Sequence, residues 1–248
     1  MANEYIYGLN SVREGLRGRR QPFELFVDEH GSGKRIEEIV ELARQRRVPL
    51  RQRRKQDLDR LAGTTYHQGV LLAVEPFSYL ELEDLLKSCQ DSGSDGLLLL
   101  LDGITDPHNL GAILRNAEAA GCNGVVLPKD RSCGVTSVVD RVSAGAAEHL
   151  PICRVTNLAR SIELLKQSGF WIYGLASDEA GKPLYKADLT GSIVLVVGSE
   201  GEGLRQRTRE LCDFLLTIPM GGVVSSLNAA SASAVALFEV VRQRGWRT

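Results

Sequence analysis

One stretch near the C-terminal end decides how this sequence is expected to fold: IPMGGVVSSLN, residues 218–228, which we name the third block. The second block is GSEGEGL at residues 198–204, and the first is DPHNLGAILR at residues 106–115. In all three blocks, glycine or proline determines the backbone conformation, and polar side chains lie next to it in the sequence. Loops that bind a ligand often have this composition. Taken alone, each block is also explained by a tight turn or a helix N-cap. None matches a dinucleotide fingerprint or a P-loop.

Each block lies at the end of a short apolar run that predicts a buried strand. Such runs occupy residues 97–101, 125–127, 171–175, 193–197 and 214–218. Helical patterns lie between or after them, at residues 110–120, 136–147, 158–167, 204–212 and 227–241. Strands that alternate with helices predict an α/β fold with a parallel sheet. Because ligands bind beyond the carboxyl ends of parallel strands, we expect the three blocks to converge in space.

The first 75 residues differ in charge from the rest of the chain. They hold 14 Lys and Arg against 11 Asp and Glu, whereas the net charge of the whole chain is −1. One run contains seven bases and no acid: Arg44, Arg46, Arg47, Arg51, Arg53, Arg54 and Lys55. Such a patch could neutralise RNA phosphates or could be a solvated helix end, and the sequence leaves both interpretations open. Short helical and strand patterns predict a small α/β domain here.

Composition indicates a linker between this domain and the parallel sheet. The segment opens at Pro76 and ends in DSGSDG at residues 91–96, so we predict domains at 1–75 and 97–248 joined by a linker at 76–96. The five cysteines do not form a metal-binding pattern, and no segment has the length of a signal peptide or a membrane span. We therefore expect a cytoplasmic protein with reduced thiols and no metal.

In this order and spacing, the three blocks resemble those of the SpoU (TrmH-type) RNA ribose 2′-O-methyltransferases. The similarity spans residues 5–244 and includes IYG at 6–8, HQGV at 67–70, LPKDR at 127–131 and RVTNLAR at 154–160. It is strongest to the members that act on large-subunit rRNA. One departure is Ala229-Ala230 after Ser-Leu-Asn, which concerns packing more than chemistry. The resemblance implies methyl transfer from S-adenosylmethionine to the ribose 2′-hydroxyl of a guanosine in that rRNA.

The resemblance also assigns roles to residues of the three blocks. It implies the catalytic residues Asn109, Arg115, Glu200, Ser226 and Asn228. It implies that the cofactor is bound by Gly198, Ile218, Met220 and Leu227, mostly through their backbone. Because an arginine is effectively always protonated, we expect Arg115 to bind a substrate phosphate and stabilise developing charge, with Glu200 and Asn109 orienting it.

The fold that the resemblance implies is a SPOUT-type parallel sheet whose C-terminal segment threads a trefoil knot. The first domain is then similar to the RNA-binding fold of kink-turn-binding ribosomal proteins. A homodimer is implied as well, formed through the second domain, and the final helix carries a broad apolar stripe: Ala230, Ala234, Leu237, Phe238 and Val241. The stripe could instead be wholly intramolecular.

Three other functions are compatible with parts of the sequence. One is methylation of a different RNA, such as a tRNA. Another is a non-catalytic RNA-binding assembly protein of the same fold, which the presence of both Arg115 and Glu200 disfavours. The third is a nucleotide-dependent enzyme, which the absence of a glycine fingerprint disfavours.

Overall fold

Two β-sheets, one of four strands and one of seven, organise the computed structural model, which describes residues 3–177 and 181–245. Each sheet belongs to its own compact unit. The first unit contains the residues through Ser78 together with Val135–His149, and the second contains Tyr79–Gly134 and the residues from Leu150 onward. Among the described residues, every helix is too short or too polar to span a bilayer.

The first unit is a four-stranded sheet covered by helices on both faces. Its elements are β1 (Glu4–Tyr7), α1 (Leu9–Arg17), β2 (Pro22–Asp28), α2 (Lys34–Gln45), β3 (Leu50–Arg53), α3 (Lys55–Ala62) and β4 (Val70–Val74). The strand order is β1-β4-β2-β3, and only the edge pair β2–β3 is parallel. Apolar residues of α1 and α2 pack on one face of this sheet, and Leu58 of α3 packs on the other.

The second unit is built on a seven-stranded sheet in which every pairing is parallel. The remaining elements are α4 (Leu82–Asp91), β5 (Leu97–Asp102), α5 (Pro107–Ala119), β6 (Gly124–Pro128), α6 (Ser137–Val142), β7 (Ile152–Val155), α7 (Leu158–Gln167), β8 (Trp171–Leu175), β9 (Lys182–Pro183), β10 (Ile193–Gly198), α8 (Gln206–Leu211), β11 (Phe214–Thr217) and α9 (Ala229–Arg244). The strand order is β7-β6-β5-β10-β8-β11-β9. The prediction of an α/β fold with a parallel sheet is confirmed.

The structure differs from the predicted linker at residues 76–96. Within the predicted linker at 76–96, residues 82–91 form helix α4, and its Leu82, Leu85 and Leu86 are buried in the core of the second unit. Apolar residues three and four apart give a helix one buried face, and here that face packs against β6 and β7. The linker composition at residues 91–96 therefore marks only the turn between α4 and β5.

A second correction concerns residues 135–149, which were predicted to belong wholly to the parallel-sheet domain. They lie in the first unit, and the predicted helix over 136–147 breaks at Ala144 (φ 55°) and Gly145 (φ 87°). The buried Arg20 holds this segment, since it donates to Asp140 Oδ2 at 2.7 Å and from Nε to Glu148 Oε1 at 2.9 Å. The chain consequently passes between the two units three times.

Candidate active site

The first block forms the start of α5. Asp106 is the N-cap, and its carboxylate accepts a hydrogen bond from the backbone N–H of His108 at 3.0 Å. Pro107 occupies the first turn, where its missing N–H costs no helical hydrogen bond. This cap fixes where α5 begins and therefore places Asn109 in the first turn, beyond the carboxyl end of β5.

The second block is a tight turn that requires glycine. Ser199 and Gly203 exchange two backbone hydrogen bonds of 3.0 Å, and Gly201 between them has φ 84°. A Cβ on Gly198 would overlap the backbone of Gly203 and Leu204, so no other residue fits without moving the turn. The turn leaves the side chain of Glu200 exposed at the end of β10.

The third block ends at Asn228, which is also the N-cap of α9. Its side-chain oxygen accepts hydrogen bonds from the N–H groups of Ala230 at 2.8 Å and Ser231 at 3.3 Å. Its side-chain nitrogen donates to Asn109 Oδ1 at 2.9 Å and to Glu200 Oε1. One side chain therefore joins all three blocks, as their position after parallel strands predicts.

A cavity of about 740 Å³ lies beside this junction. The second and third blocks form most of its wall, and four residues expected to bind a cofactor are in that wall: Gly198, Ile218, Met220 and Leu227. Glu200, Ser226 and Asn228 line it too. Among the described residues, no group of three or more His, Cys, Asp or Glu could hold a metal ion.

Arg115 is placed differently from the other expected catalytic residues. It is exposed on α5, does not line the cavity, and has no hydrogen bond or ion pair recorded within residues 3–177 and 181–245. At about 100° per residue, a spacing of six turns Arg115 roughly 120° away from Asn109. Asn116 shares the face of Asn109 instead and donates to the carbonyl of Ala230 at 3.0 Å. The expected hydrogen bonds of Arg115 with Asn109 and Glu200 are not found within residues 3–177 and 181–245, where both residues bond Asn228 instead.

An ion pair between the buried Asp102 and the partly exposed Arg205 supports the site and was not predicted from the sequence. Asp102 ends β5 fully buried, accepts a hydrogen bond from the backbone N–H of Arg205 at 3.0 Å, and lies 3.4 Å from its guanidinium. It thus ties the strand before the first block to the residue that precedes α8. An acid directly after five leucines was the available signal, because a buried carboxylate needs a partner. Arg209 and residues 175–177 in the cavity wall were missed as well.

The seven bases of the first unit surround its edge strand. They lie at the end of α2, along β3 and at the start of α3, and all seven are exposed. Four of them have intramolecular partners: Arg44 with Glu41, Arg46 with the carbonyl of Leu16, Arg51 with Glu24, and Arg54 with Glu29. For Arg47, Arg53 and Lys55 no side-chain bond is recorded in the described part of the chain. These three are the cations most available to a partner.

Comparison with known proteins agrees with the geometry of the three blocks. A family model described as "SpoU rRNA Methylase family" matches residues 96–238, and one described as "RNA 2'-O ribose methyltransferase substrate binding" matches residues 5–80. The chain belongs to the SpoU rRNA methylase family. The SpoU match includes every residue of the Asn109–Asn228–Glu200 junction.

Individual SpoU relatives are similar over almost the full chain. The 23S rRNA (guanosine-2'-O-)-methyltransferase RlmB of Vibrio vulnificus is 46% identical over 245 residues, which is 98% of each chain. RlmB of Pseudomonas aeruginosa is 47% identical over 244 residues, 97% of each chain. Among solved structures, the SpoU methyltransferase AviRb from Streptomyces viridochromogenes in complex with the cofactor AdoMet has a TM-score of 0.79 at 27% identity. That likeness covers 98% of this chain and 90% of AviRb.

Proposed function

We propose that this protein transfers the methyl group of S-adenosylmethionine to the ribose 2′-hydroxyl of a guanosine in 23S rRNA. The observation that carries the proposal is the junction of Asn109, Glu200 and Asn228 beside the cavity. It lies in a chain that is 46% identical over 98% of its length to an enzyme with that activity. Methylation of a different RNA and a non-catalytic role are the alternatives, and mapping of 2′-O-methylation in the cell distinguishes all three.

The cavity suits a cofactor of this size and character. Its volume of about 740 Å³ falls within the range of roughly 300–1,000 Å³ typical of small-molecule sites. We assign cofactor binding to Gly198, Ile218, Met220 and Leu227, since glycine and a proline-fixed loop leave backbone groups open to a ligand. When bound, S-adenosylmethionine supplies a methyl group on a positively charged sulfur. Glu200 at the cavity wall adds a negative charge that favours such a cation.

The remaining site residues act on the substrate. Ser226 and Asn228 hold the ribose or the methionine end of the cofactor, and Asn109 and Glu200 fix the amide of Asn228. Arg115 binds the phosphate on the 3′ side and stabilises the charge that develops on the 2′-oxygen. Holding both reactants in line can supply up to ~7–11 kcal/mol of the acceleration. The proton that the 2′-hydroxyl loses passes to the substrate phosphate held by Arg115 or to water, so no side chain of this set has to accept it.

The position of Arg115 leads us to propose a homodimer whose sites draw on both protomers. Arg115 points away from the junction of its own chain, so it can complete the site of a partner. Helix α9 supports the same arrangement. Its buried face includes Leu237, whereas Ala234, Phe238 and Val241 form a second apolar line that stays partly exposed in the single chain. Symmetric dimers are the commonest oligomers, and such a line suits a self-complementary interface.

We also propose finer details of the fold and setting. The second unit threads a trefoil knot. In support, β11 lies between β8 and β9, two strands that precede it in the chain. The first unit has the fold of kink-turn-binding ribosomal proteins and binds RNA through its seven exposed bases. The protein works in the cytoplasm, where its rRNA substrate is located.

The proposal is tested by mapping ribose 2′-O-methylation in 23S rRNA and tRNA from a strain that lacks the gene. One guanosine of 23S rRNA should lose its methyl group and regain it when the intact gene is restored. A loss confined to tRNA, or no loss in any RNA, overturns the proposed substrate. Calorimetry with S-adenosylhomocysteine and with NAD checks the cofactor, and binding of NAD alone would overturn that part.

A further inference from the structure

A fourth loop lies at the same edge of the sheet as the three blocks. It comprises residues 129–134, which follow the carboxyl end of β6, and we name it the β6 loop. Lys129, Asp130 and Arg131 are all exposed there. Strand β6 pairs with β5, the strand that leads into the first block. The β6 loop therefore lies beside the first block in the second unit.

Backbone hydrogen bonds anchor the β6 loop at both ends. The N–H of Lys129 donates to Val155 at 2.7 Å, and the N–H of Cys133 donates to Ile104 at 2.8 Å. The guanidinium of Arg154 also donates to the carbonyl of Lys129 at 3.0 Å. Ile104 lies two residues before the first block, so this hydrogen bond ties the end of the β6 loop to the segment that leads into the block. The loop is held in place without help from the side chains of Lys129 or Arg131.

The backbone between these anchors is strained at Arg131, whose φ is 54°. A residue with a Cβ adopts this left-handed conformation only at a cost, and such strain collects at functional positions. Glycine would avoid the cost, yet the position carries a long cation. No side-chain bond of Lys129 or Arg131 is recorded within residues 3–177 and 181–245.

The charges around the β6 loop favour an anion. Lys129, Arg131 and Arg154 are the cations, and Arg154 lies over the ring of Tyr79 at 5.4 Å from its centroid. Asp130 and Asp106 are the nearby acids, and Asp106 already caps α5. The net charge of these five groups is positive, at the same edge of the sheet as the three blocks.

We propose that Lys129 and Arg131 bind phosphodiester groups of the substrate RNA next to the nucleotide that is methylated. The inference rests on the proposed function and extends it to a specific RNA contact. The guanidinium of Arg131 presents paired N–H donors that match two oxygens of one phosphate. Because backbone hydrogen bonds anchor the β6 loop, such a contact would position the RNA relative to the first block.

The decisive variant is Arg131→Gly, because glycine relieves the strained backbone and removes the cation at once. We expect its melting temperature to equal or exceed that of the wild type. Its Kd for an unmodified 23S rRNA transcript should rise about tenfold or more, as for the loss of one charge-assisted hydrogen bond. The slope of log Kd against log salt should fall by about 0.7–0.9. Arg131→Lys should keep the salt slope but bind less tightly than the wild type.

Two controls define the outcome. Asp130→Ala should bind RNA as tightly as the wild type or more tightly, and Lys87→Ala, an exposed cation on α4, should leave Kd unchanged. If Arg131→Gly is more stable but binds RNA normally, the proposal is overturned. A lower melting temperature with an unchanged salt slope overturns it too, since Arg131 would then be structural. Failure of the wild type to methylate the transcript would instead count against the proposed function, because RNA binding is measured separately.

Discussion

The side-chain amide of Asn228 donates a hydrogen bond of 2.9 Å to the side-chain oxygen of Asn109, which lies 119 positions earlier in the chain. The same amide group donates to Glu200, and its oxygen caps α9. The start of α9 and the geometry of the site are therefore fixed by one side chain. The oxygen of Asn228 stabilises α9, and its nitrogen holds the site together. Substitutions that remove only one of these bonds therefore separate the effect on stability from the effect on activity.

Asn228→Asp should abolish methyl transfer while α9 keeps its cap. Aspartate caps a helix as well as asparagine does, but it has no N–H to donate and places a second carboxylate beside Glu200. Asn228→Ala should lose both functions, and its free energy of unfolding should fall by about 0.5–2 kcal/mol. Urea denaturation and a methyl-transfer assay on both variants check this. Near-normal activity of Asn228→Asp would contradict the role of the junction.

Gly198→Ala should lose cofactor binding and stability together. Its Cβ would overlap the backbone of Gly203, and relieving such an overlap typically costs about 1–3 kcal/mol. The matched control is Gly221→Ala in the third block, where an added Cβ meets no atom within 4 Å. Calorimetry with S-adenosylhomocysteine and a thermal melt should separate the two variants. If both variants bind the cofactor analogue and melt alike, the turn at Gly198 accepts a Cβ and the prediction is wrong.

Much of this site could be predicted because it follows from local patterns. Residues 97–101 of β5 and 193–197 of β10 are all apolar and buried, so the carboxyl ends of these strands and the blocks that follow them were visible in the sequence. The direction of Arg115 could also have been predicted, since a spacing of seven, not six, returns a helix to the same face. Strand β3 carries no such signal, because all four of its residues are exposed at a sheet edge.

The pairing of Arg20 with Asp140 and Glu148 could not be predicted. These residues are 120 and 128 positions apart, and no periodic pattern links them. The domain boundary depends on this contact, because it draws residues 135–149 into the first unit. A chain cut at residue 75 would leave the two acids without Arg20, so we expect residues 97–248 alone to be less stable than a separate domain would be.

Arg115→Ala should abolish methyl transfer and change cofactor affinity by no more than a few-fold. The reason is its distance from the cavity wall and its assigned role on substrate phosphate. Arg115→Lys should also be poor, because a point charge does not replace a bidentate fork. Glu118→Ala, an exposed change on the same helix, is the control. Mixed dimers of Arg115→Ala with Asn228→Asp should regain part of the activity, and no recovery would contradict a shared site.

Reversing the charge of Arg47, Arg53 and Lys55 together should weaken RNA binding and flatten its salt dependence. The slope of log Kd against log salt should fall by about 2–3 if each cation contacts one phosphate. A triple reversal outside the cluster serves as control: Arg17, Arg35 and Arg60. If both triple variants change the slope equally, binding reflects overall charge and not this edge of the sheet.

Asp140→Asn should remove a pH dependence of stability. Burial raises the pKa of Asp140 to about 7 although Arg20 opposes the shift, and its Oδ1 has no hydrogen-bond partner among residues 3–177 and 181–245. Between its ordinary value of 3.8 and about 7, the folded protein holds a proton here that the unfolded chain releases. The free energy of unfolding of the wild type should therefore fall as pH rises through that window. Asp140→Asn should lack this fall. Urea denaturation from pH 4 to 8 measures this, and parallel curves would contradict the raised pKa.

Methyl transfer to a guanosine ribose can be measured by incubating the purified protein with an unmodified 23S rRNA transcript and S-adenosylmethionine. The RNA is then digested to nucleosides, and the methylated products are identified by mass spectrometry. We expect 2′-O-methylguanosine, formed at one site per transcript and absent with Asn228→Asp. Methylation of a base, a different methylated nucleoside, or unchanged RNA beside an active control enzyme would contradict it.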